Sequence, residues 1–445
     1  MDGQSVVLFN LTDSLPIMFG CDEVSLVFGI TSVLIWAFCA IYSISYFRND
    51  KKIGRYSIFY ILVLIITVAM DFSGNLVTYY ACYELMTLLS VPLVFHTQTK
   101  EAIMSALKYL FYSLCGAYMV LFGFYVIYSN NLSFIFRKGG TFAGHVTDEN
   151  MAILLLAVFL MMLGFSVKGG MFPMHAWLTS AHPVAPAPAS AFLSGIIVKA
   201  GVLGIVRILY YIAGSGFVKG TYIQYVFAGL SIFTVFMGSM LAYREKHLKK
   251  RLAYSTVSQV SYIIFGLIMI EPSAFTGAIS HVIFHAVIKC GLFLFAGIVI
   301  HETGKERVDE LKGMGKKMPL LWWSYTILSL GLIGIPPCAG FVSKWFLCEG
   351  ALSADMGVLS YIGPAILLIS AFLTAGYLLP ITIDGFLPGK DFKVETEGKI
   401  KISLYMIVPV VILATLCLIL GIFSGKITEF LRFIAVGLMI VSNDV

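Results

Sequence analysis

The sequence predicts an all-α integral membrane protein of about twelve spans, and three observations carry that expectation. Of the 445 residues, 59% are hydrophobic and only 12% charged, about half the charge of an ordinary soluble chain, and the mean hydropathy is +0.91. Apolar windows long enough to cross a bilayer recur along nearly the whole chain. Lysine and arginine collect in alternate connections between those windows.

The windows fall at 24–47, 56–72, 74–96, 102–129, 151–177, 189–213, 221–243, 252–270, 273–301, 319–349, 358–386 and 402–424. One set of connections (48–55, Lys100, 244–251, 301–319 and 386–401) carries nineteen basic residues. The other set carries five: Arg137, Lys138, Lys219, Lys426 and Arg432. That bias places the first set in the cytoplasm and both termini outside. Met1 to Glu23 has neither a positive n-region nor a long apolar h-region, so the first span is expected to act as the targeting element. The eight cysteines are scattered without a C-x-x-C pair, which points to buried small hydrophobes rather than an iron–sulfur cluster or structural zinc. No cofactor is expected. The net charge of +6 sits in loops that topology already explains, so no nucleic-acid partner is implied. Asp71 and Asp384, near span ends, and the mixed charges of 243–251 are expected to be solvated, and Arg207 to face headgroups or a loop carbonyl.

Chemistry concentrates in KGGMFPMHAWLTSAHPVAPAPASAFLSGIIVKAGVLGIVR, from Lys168 to Arg207. Lys168 and Lys199 lie inside apolar helices, where a lysine costs about 2.5–3.5 kcal/mol even on a lenient scale. Between them stand Pro173, His175, His182 and a Pro-rich connection. A second Pro-interrupted span holds Pro336 and Pro337 ahead of Lys344. Broken helices at related places suggest inverted repeats around a central ion site, placed here at 56–213 and 221–386. An N-terminal segment and first span (1–55) would precede them, and a loop, last span and tail (387–445) would follow. In HVIFHAVIKCG, His281, His285 and Lys289 share one helix face over about 12 Å, with imidazoles suited to relaying protons near neutral pH. Zinc is disfavoured there, because the H-E-x-x-H glutamate and a third ligand are missing. Glu84, in the body of the third window, should be neutral or paired with a lysine. Lys199 could alternatively snorkel to an interface.

These motifs resemble the antiporter-like family, comprising the large proton-pumping subunits of respiratory complex I, subunits of membrane-bound hydrogenases, and subunits of Mrp-type Na⁺/H⁺ antiporters. The resemblance runs from about Asp22 to Phe386. It departs at Thr179, where the family usually has proline, and at Tyr83, where it has tryptophan. It implies that Glu84 pairs with Lys168, that His281, His285 and Lys289 form a relay, and that Lys344 ends the path, with Lys108, His175 and His182 as possible secondary members. The resemblance implies that the family's first two helices are missing here, as is the long lateral helix of the most distal complex I pumping subunit, so the chain reads as a short version.

The function implied is H⁺ translocation along a Glu84–Lys168–Lys199–His281/His285–Lys289–Lys344 axis, within a complex I-like or [NiFe] hydrogenase- or ferredoxin-linked assembly of a bacterial or archaeal membrane. Expected partners are homologous membrane subunits, a peripheral iron–sulfur module and lipids. The alternatives are a subunit of a multi-subunit Na⁺/H⁺ antiporter without a redox partner, and a structural subunit whose charges only lock helices.

Overall fold

A computed structural model describes residues 5–12, 15–389 and 400–440 of the chain. Lys390, Lys393 and Lys399 of the expected cytoplasmic loop lie outside the described residues. The chain opens on an antiparallel hairpin, β1 (Ser5–Thr12) and β2 (Leu15–Gly20), which the apolar windows do not announce. β2 docks on the helices: Gly20 N donates to Phe72 O at 2.8 Å and Gly74 N to Met18 O at 2.9 Å. Asn75 Nδ2 adds a bond to Pro16 O.

The first five windows form α1 (Glu23–Tyr46), α2 (Ile53–Asp71), α3 (Leu76–Val94), α4 (Lys100–Ser129) and α5 (Met151–Gly169). Asp22, Asn75 and Thr99 cap α1, α3 and α4 by accepting from the third residue onward, which satisfies an amide that would otherwise lack a partner. The first broken window resumes as α6 (Ala176–Val184). The next span, Ala187–Ile212, comprises α7 (Ala187–Phe192), a π-helical turn at Leu193–Ile197, α8 (Val198–Val206) and a second π turn at Arg207–Ile212. A short α9 (Ser215–Val218) leads to α10 (Tyr222–Arg244), α11 (Leu248–Ile268) and α12 (Pro272–Thr303). Beyond a short α13 (Met314–Lys317) come α14 (Pro319–Ile333), α15 (Ala339–Ser353), α16 (Leu359–Phe386), α17 (Leu404–Ile422) and α18 (Gly425–Ile440).

Every expected window is therefore helical, and both expected interruptions occur. The first runs from Gly170, in the left-handed region at φ 72°, through Pro173. The second runs from Gly334, at φ 94°, through Pro336 and Pro337. Helix α18 is a difference, because the sequence reading leaves 425–445 as tail. Lys426, Glu429 and Arg432 dilute its hydropathy. It nevertheless buries Leu431, Ile434, Ala435 and Leu438 and packs on α12 and α9.

The 32-residue α12 is the axis of the molecule. It is apolar almost all round, as a helix enclosed by others must be, and it touches α1, α7, α11, α14, α15, α17 and α18. Small residues set the closest crossings. A Cβ on Gly116 of α4 would stand 2.6 Å from Gly164 O of α5. Gly116→Val should therefore force the pair apart and cost about 1–3 kcal/mol, read as a lowered melting temperature in detergent.

Candidate functional site

The polar interior begins between α3, α4 and α5. Lys168 ends α5 just before the break and is fully buried. Its ammonium donates to Thr87 Oγ1 at 2.6 Å, Tyr109 OH at 3.1 Å and Ser113 Oγ at 3.3 Å. It also lies 5.0 Å from the Tyr83 ring centroid and 4.8 Å from that of Tyr109, both favourable cation–π distances. Glu84, one turn before Thr87, is half-buried, and its Oε1 has no hydrogen-bond partner. The expected pair with Lys168 is not a contact: among the described residues no ion pair within 4.0 Å joins them. Hydroxyls on α3 and α4 take the carboxylate's place. Lys108 donates to Ser180 Oγ of α6 at 3.0 Å.

Lys199 is buried on α8, and its ammonium donates to Ser194 O inside the first π turn. A π turn skips one regular hydrogen bond, so the widened helix supplies an acceptor to its own lysine. Close packing is again glycine-dependent: a Cβ on Gly201 would lie 3.0 Å from both Gly169 N and Lys168 Cβ. Lys168 and Lys199 thus sit on directly abutting helices.

From Lys199 a chain of polar atoms crosses to α12. Ser194 Oγ is 2.8 Å from Thr256 Oγ1, which donates to Leu252 O at 3.0 Å. Lys289 Nζ donates to that same carbonyl at 2.8 Å and to Ser255 Oγ. One turn earlier, His285 is fully buried with both ring nitrogens unpartnered. Its ring stacks on His281 at 5.6 Å between centroids. His281 Nδ1 lies 2.8 Å from Ser343 Oγ and Nε2 3.1 Å from Gln259 Oε1. Lys344, next to Ser343, donates to Leu332 O at 2.6 Å and Ile333 O at 2.9 Å. Those carbonyls are left free where α14 stops at the second break. Tyr262 lies under both Lys344 and His281.

The structure therefore brings Lys199, Lys289, His285, His281 and the half-buried Lys344 into one polar line, with Lys168 beside its start. His182 faces that line. It is buried, stacked on Phe293 at 4.6 Å, and unpartnered at both nitrogens. His175 lies half-buried at the first break with Nδ1 unpartnered.

Three expectations are corrected. Asp71 is not solvated but buried, and accepts from Ser32 Oγ at 2.8 Å. Arg207 faces neither headgroups nor a loop carbonyl. It is 1% exposed, its guanidinium forks onto Asp22 and donates to Ser25 Oγ at 2.8 Å, and it lies between the rings of Phe136 and Tyr211. The 243–251 loop is only partly solvated: Lys249 is buried and donates to Ala185 O, and Arg251 donates to Tyr377 O. Spacing arguments cannot find such pairings, because the partners lie far apart in sequence. The hydroxyls at Thr87, Tyr109, Ser113 and Thr256 carry no pattern of their own.

Residues 73–373 match the model of the NADH:quinone oxidoreductase/Mrp antiporter transmembrane family. The chain belongs to that family. Among curated relatives, it is 30% identical over 396 residues to NADH-quinone oxidoreductase subunit N of Desulforudis audaxviator, covering 85% of this chain and 76% of that one. It is 27% identical over 403 residues to a Na⁺/H⁺ antiporter subunit of Alkalihalophilus pseudofirmus, covering 90% and 79%. In solved structures, the fold is similar to a chain of the Mrp complex from Dietzia, with a TM-score of 0.85 at 22% identity, covering 98% of this chain and 88% of that one. A chain of the archaeal membrane-bound sulfane sulfur reductase gives the same score and identity, covering 97% and 86%. As a member of this family, the protein is an integral membrane subunit, and among the described residues ten helices are long and apolar enough to span.

Proposed function

We propose that the chain is a proton-translocating subunit of a redox-driven membrane complex, moving H⁺ laterally from Lys168 and Lys199 through Lys289, His285 and His281 to Lys344. The observation that carries this reading is the composition of the line itself. Among the described residues none of its four lysines contacts a carboxylate; Lys168 is held by hydroxyls, Lys289 by a hydroxyl and the Leu252 carbonyl of α11, and Lys199 and Lys344 by carbonyls at a π turn and a helix break. A carboxylate partner would hold each lysine in its charged form; an ammonium held by neutral acceptors can more readily become an amine. The hydroxyls of Ser194, Thr256 and Ser255 offer donor and acceptor together, so with intervening water a proton leaving Lys199 can reach Lys289. Imidazoles continue the relay to Lys344. Glu84 stands off Lys168 as a charge that can approach or retreat, and Lys108, His175 and His182 flank the uptake side.

In this reading 56–213 and 221–386 act as inverted repeats, and the hairpin face looks outward with both termini. The basic bias of the opposite loops supports that orientation. The likeness to an NADH-quinone oxidoreductase subunit supports a neighbouring electron-transfer module as the driver. A second reading, a Na⁺/H⁺ antiporter subunit without such a module, is favoured by the likeness to the Alkalihalophilus antiporter protein.

Gentle purification through a tag on this chain, followed by mass spectrometry, separates the two. Co-purifying iron–sulfur or [NiFe] subunits are the expected result. Recovery of small membrane subunits alone, with no metal, would transfer the proposal to the antiporter reading.

A further inference from the structure

We infer that Asp71 is a proton-exchanging carboxylate that joins Lys199 to the hairpin face, giving the line a branch in mid-path; the inference rests on the proposed role of Lys199. Asp71 closes α2 and is 1% exposed. A lone buried carboxylate usually marks function in a membrane protein. Its Oδ2 accepts from Ser32 Oγ of α1 at 2.8 Å. Asp71, Ser32, Thr31 and Lys199 line one enclosed cavity of about 10 Å³, roughly the space of a single water with several polar partners. One water there would lie against Asp71 and Lys199 at once.

On the other side, two residues further along the chain, Ser73 and Gly74 form the wall of an open vestibule of about 430 Å³, together with Asp22, Arg137 and Lys138. Asp22 of that wall carries the Arg207 guanidinium. Arg207 is a fixed positive charge acting on Asp71, and Tyr79, whose hydroxyl donates to Ala200 O, is the titratable neighbour on α3. The step balances simply. Lys199 breaks an N–H bond, the water passes the proton on, and Asp71 gains an O–H bond; Asp71 then releases H⁺ to vestibule water beside Arg207. The reverse sequence loads Lys199 from the hairpin face.

The test reconstitutes the whole complex into vesicles with Asp71→Asn, Asp71→Glu and Lys199→Ala, following proton movement with a pH-sensitive dye. Asn keeps the size and the Ser32 contact but cannot take up and release a proton. Transport should fall severalfold in Asp71→Asn, because the branch loses its proton-transfer group while the main line still runs from Lys168, with subunit recovery unchanged, and Asp71→Glu should restore part of it. Wild-type transport in Asp71→Asn alongside a dead Lys199→Ala overturns the branch and leaves the main line standing. Wild-type transport in Lys199→Ala overturns the reading beneath it. Where Asp71→Asn fails to assemble, Thr31→Leu fills the cavity without touching the carboxylate. Lost transport in that variant supports the branch, and wild-type transport overturns it.

Discussion

Replacing Lys199 with alanine should reduce proton movement by the reconstituted complex to below about a hundredth of the wild-type rate, with the subunits still recovered together. Both halves follow from one environment. The ammonium is held by a carbonyl of its own helix, Ser194 O in the π turn, so removing it leaves an acceptor that water can satisfy and no orphaned opposite charge. The cost to folding is the small loss of a stem from α8. The cost to transport is the loss of the group between Lys168 and the Thr256–Ser255–Lys289 chain. Lys199→Arg should be nearly as inactive, since a guanidinium does not give up its proton under working conditions. A merely structural cation would be rescued by that change. Proton flux and subunit recovery, measured on the same preparations, check the prediction.

Arg207→Ala should do the opposite, destroying the fold before it touches transport. Arg207 is 1% exposed and ties the end of the Ala187–Ile212 span to the cap of α1 through Asp22 and Ser25. Removing one member of a buried ion pair leaves the other uncompensated, at about 3–5 kcal/mol, and here also strips two aromatic rings of their cation. Burial by itself would raise the Asp22 pKa. The charge and hydrogen bonds of Arg207 outweigh it, and the carboxyl falls from 3.8 to about 2. A depressed carboxyl stabilises the folded state above its unfolded value and loses that contribution as the pH drops through the folded one. The anchor is therefore constant from neutral pH down to about 3.8 and fails only as the pH falls toward about 2. Arg207→Lys should recover part of the stability, because charge is kept and the fork is lost. Thermal melting in detergent across this pH range reads both effects.

What the sequence makes legible follows from how each feature is encoded. Membrane helices are written in continuous apolar windows; all twelve windows are helical, and ten hold a helix long and apolar enough to span among the described residues. Helix breaks are written in Pro173, Pro336 and Pro337, and both appear where expected. Lysines and histidines in apolar surroundings announce themselves by their cost, so every candidate of the polar line can be named. Their partners cannot. Thr87, Ser113 and Thr256 are ordinary helix residues until the fold aims them, and a π turn at Leu193–Ile197 leaves no residue signature. Asp71 reads as solvated because a carboxylate at a helix end is usually wet; here the hairpin and α1 cover it. The hairpin and α18 escape the sequence for a related reason, since each is too short or too charged to register as a span and is ordered by what it packs against.

Proton movement by complex carrying Lys289→Ala, measured beside wild type in the same vesicles with the electron donor supplied, tests the continuous line most directly. Lys289 sits where the hydroxyl chain from Lys199 meets the histidines of α12, and no carboxylate depends on it for charge balance within contact distance among the described residues. The expected result is full assembly, donor-driven acidification in wild type and none in the variant. Wild-type acidification by an assembled Lys289→Ala complex would contradict a proton path through α12.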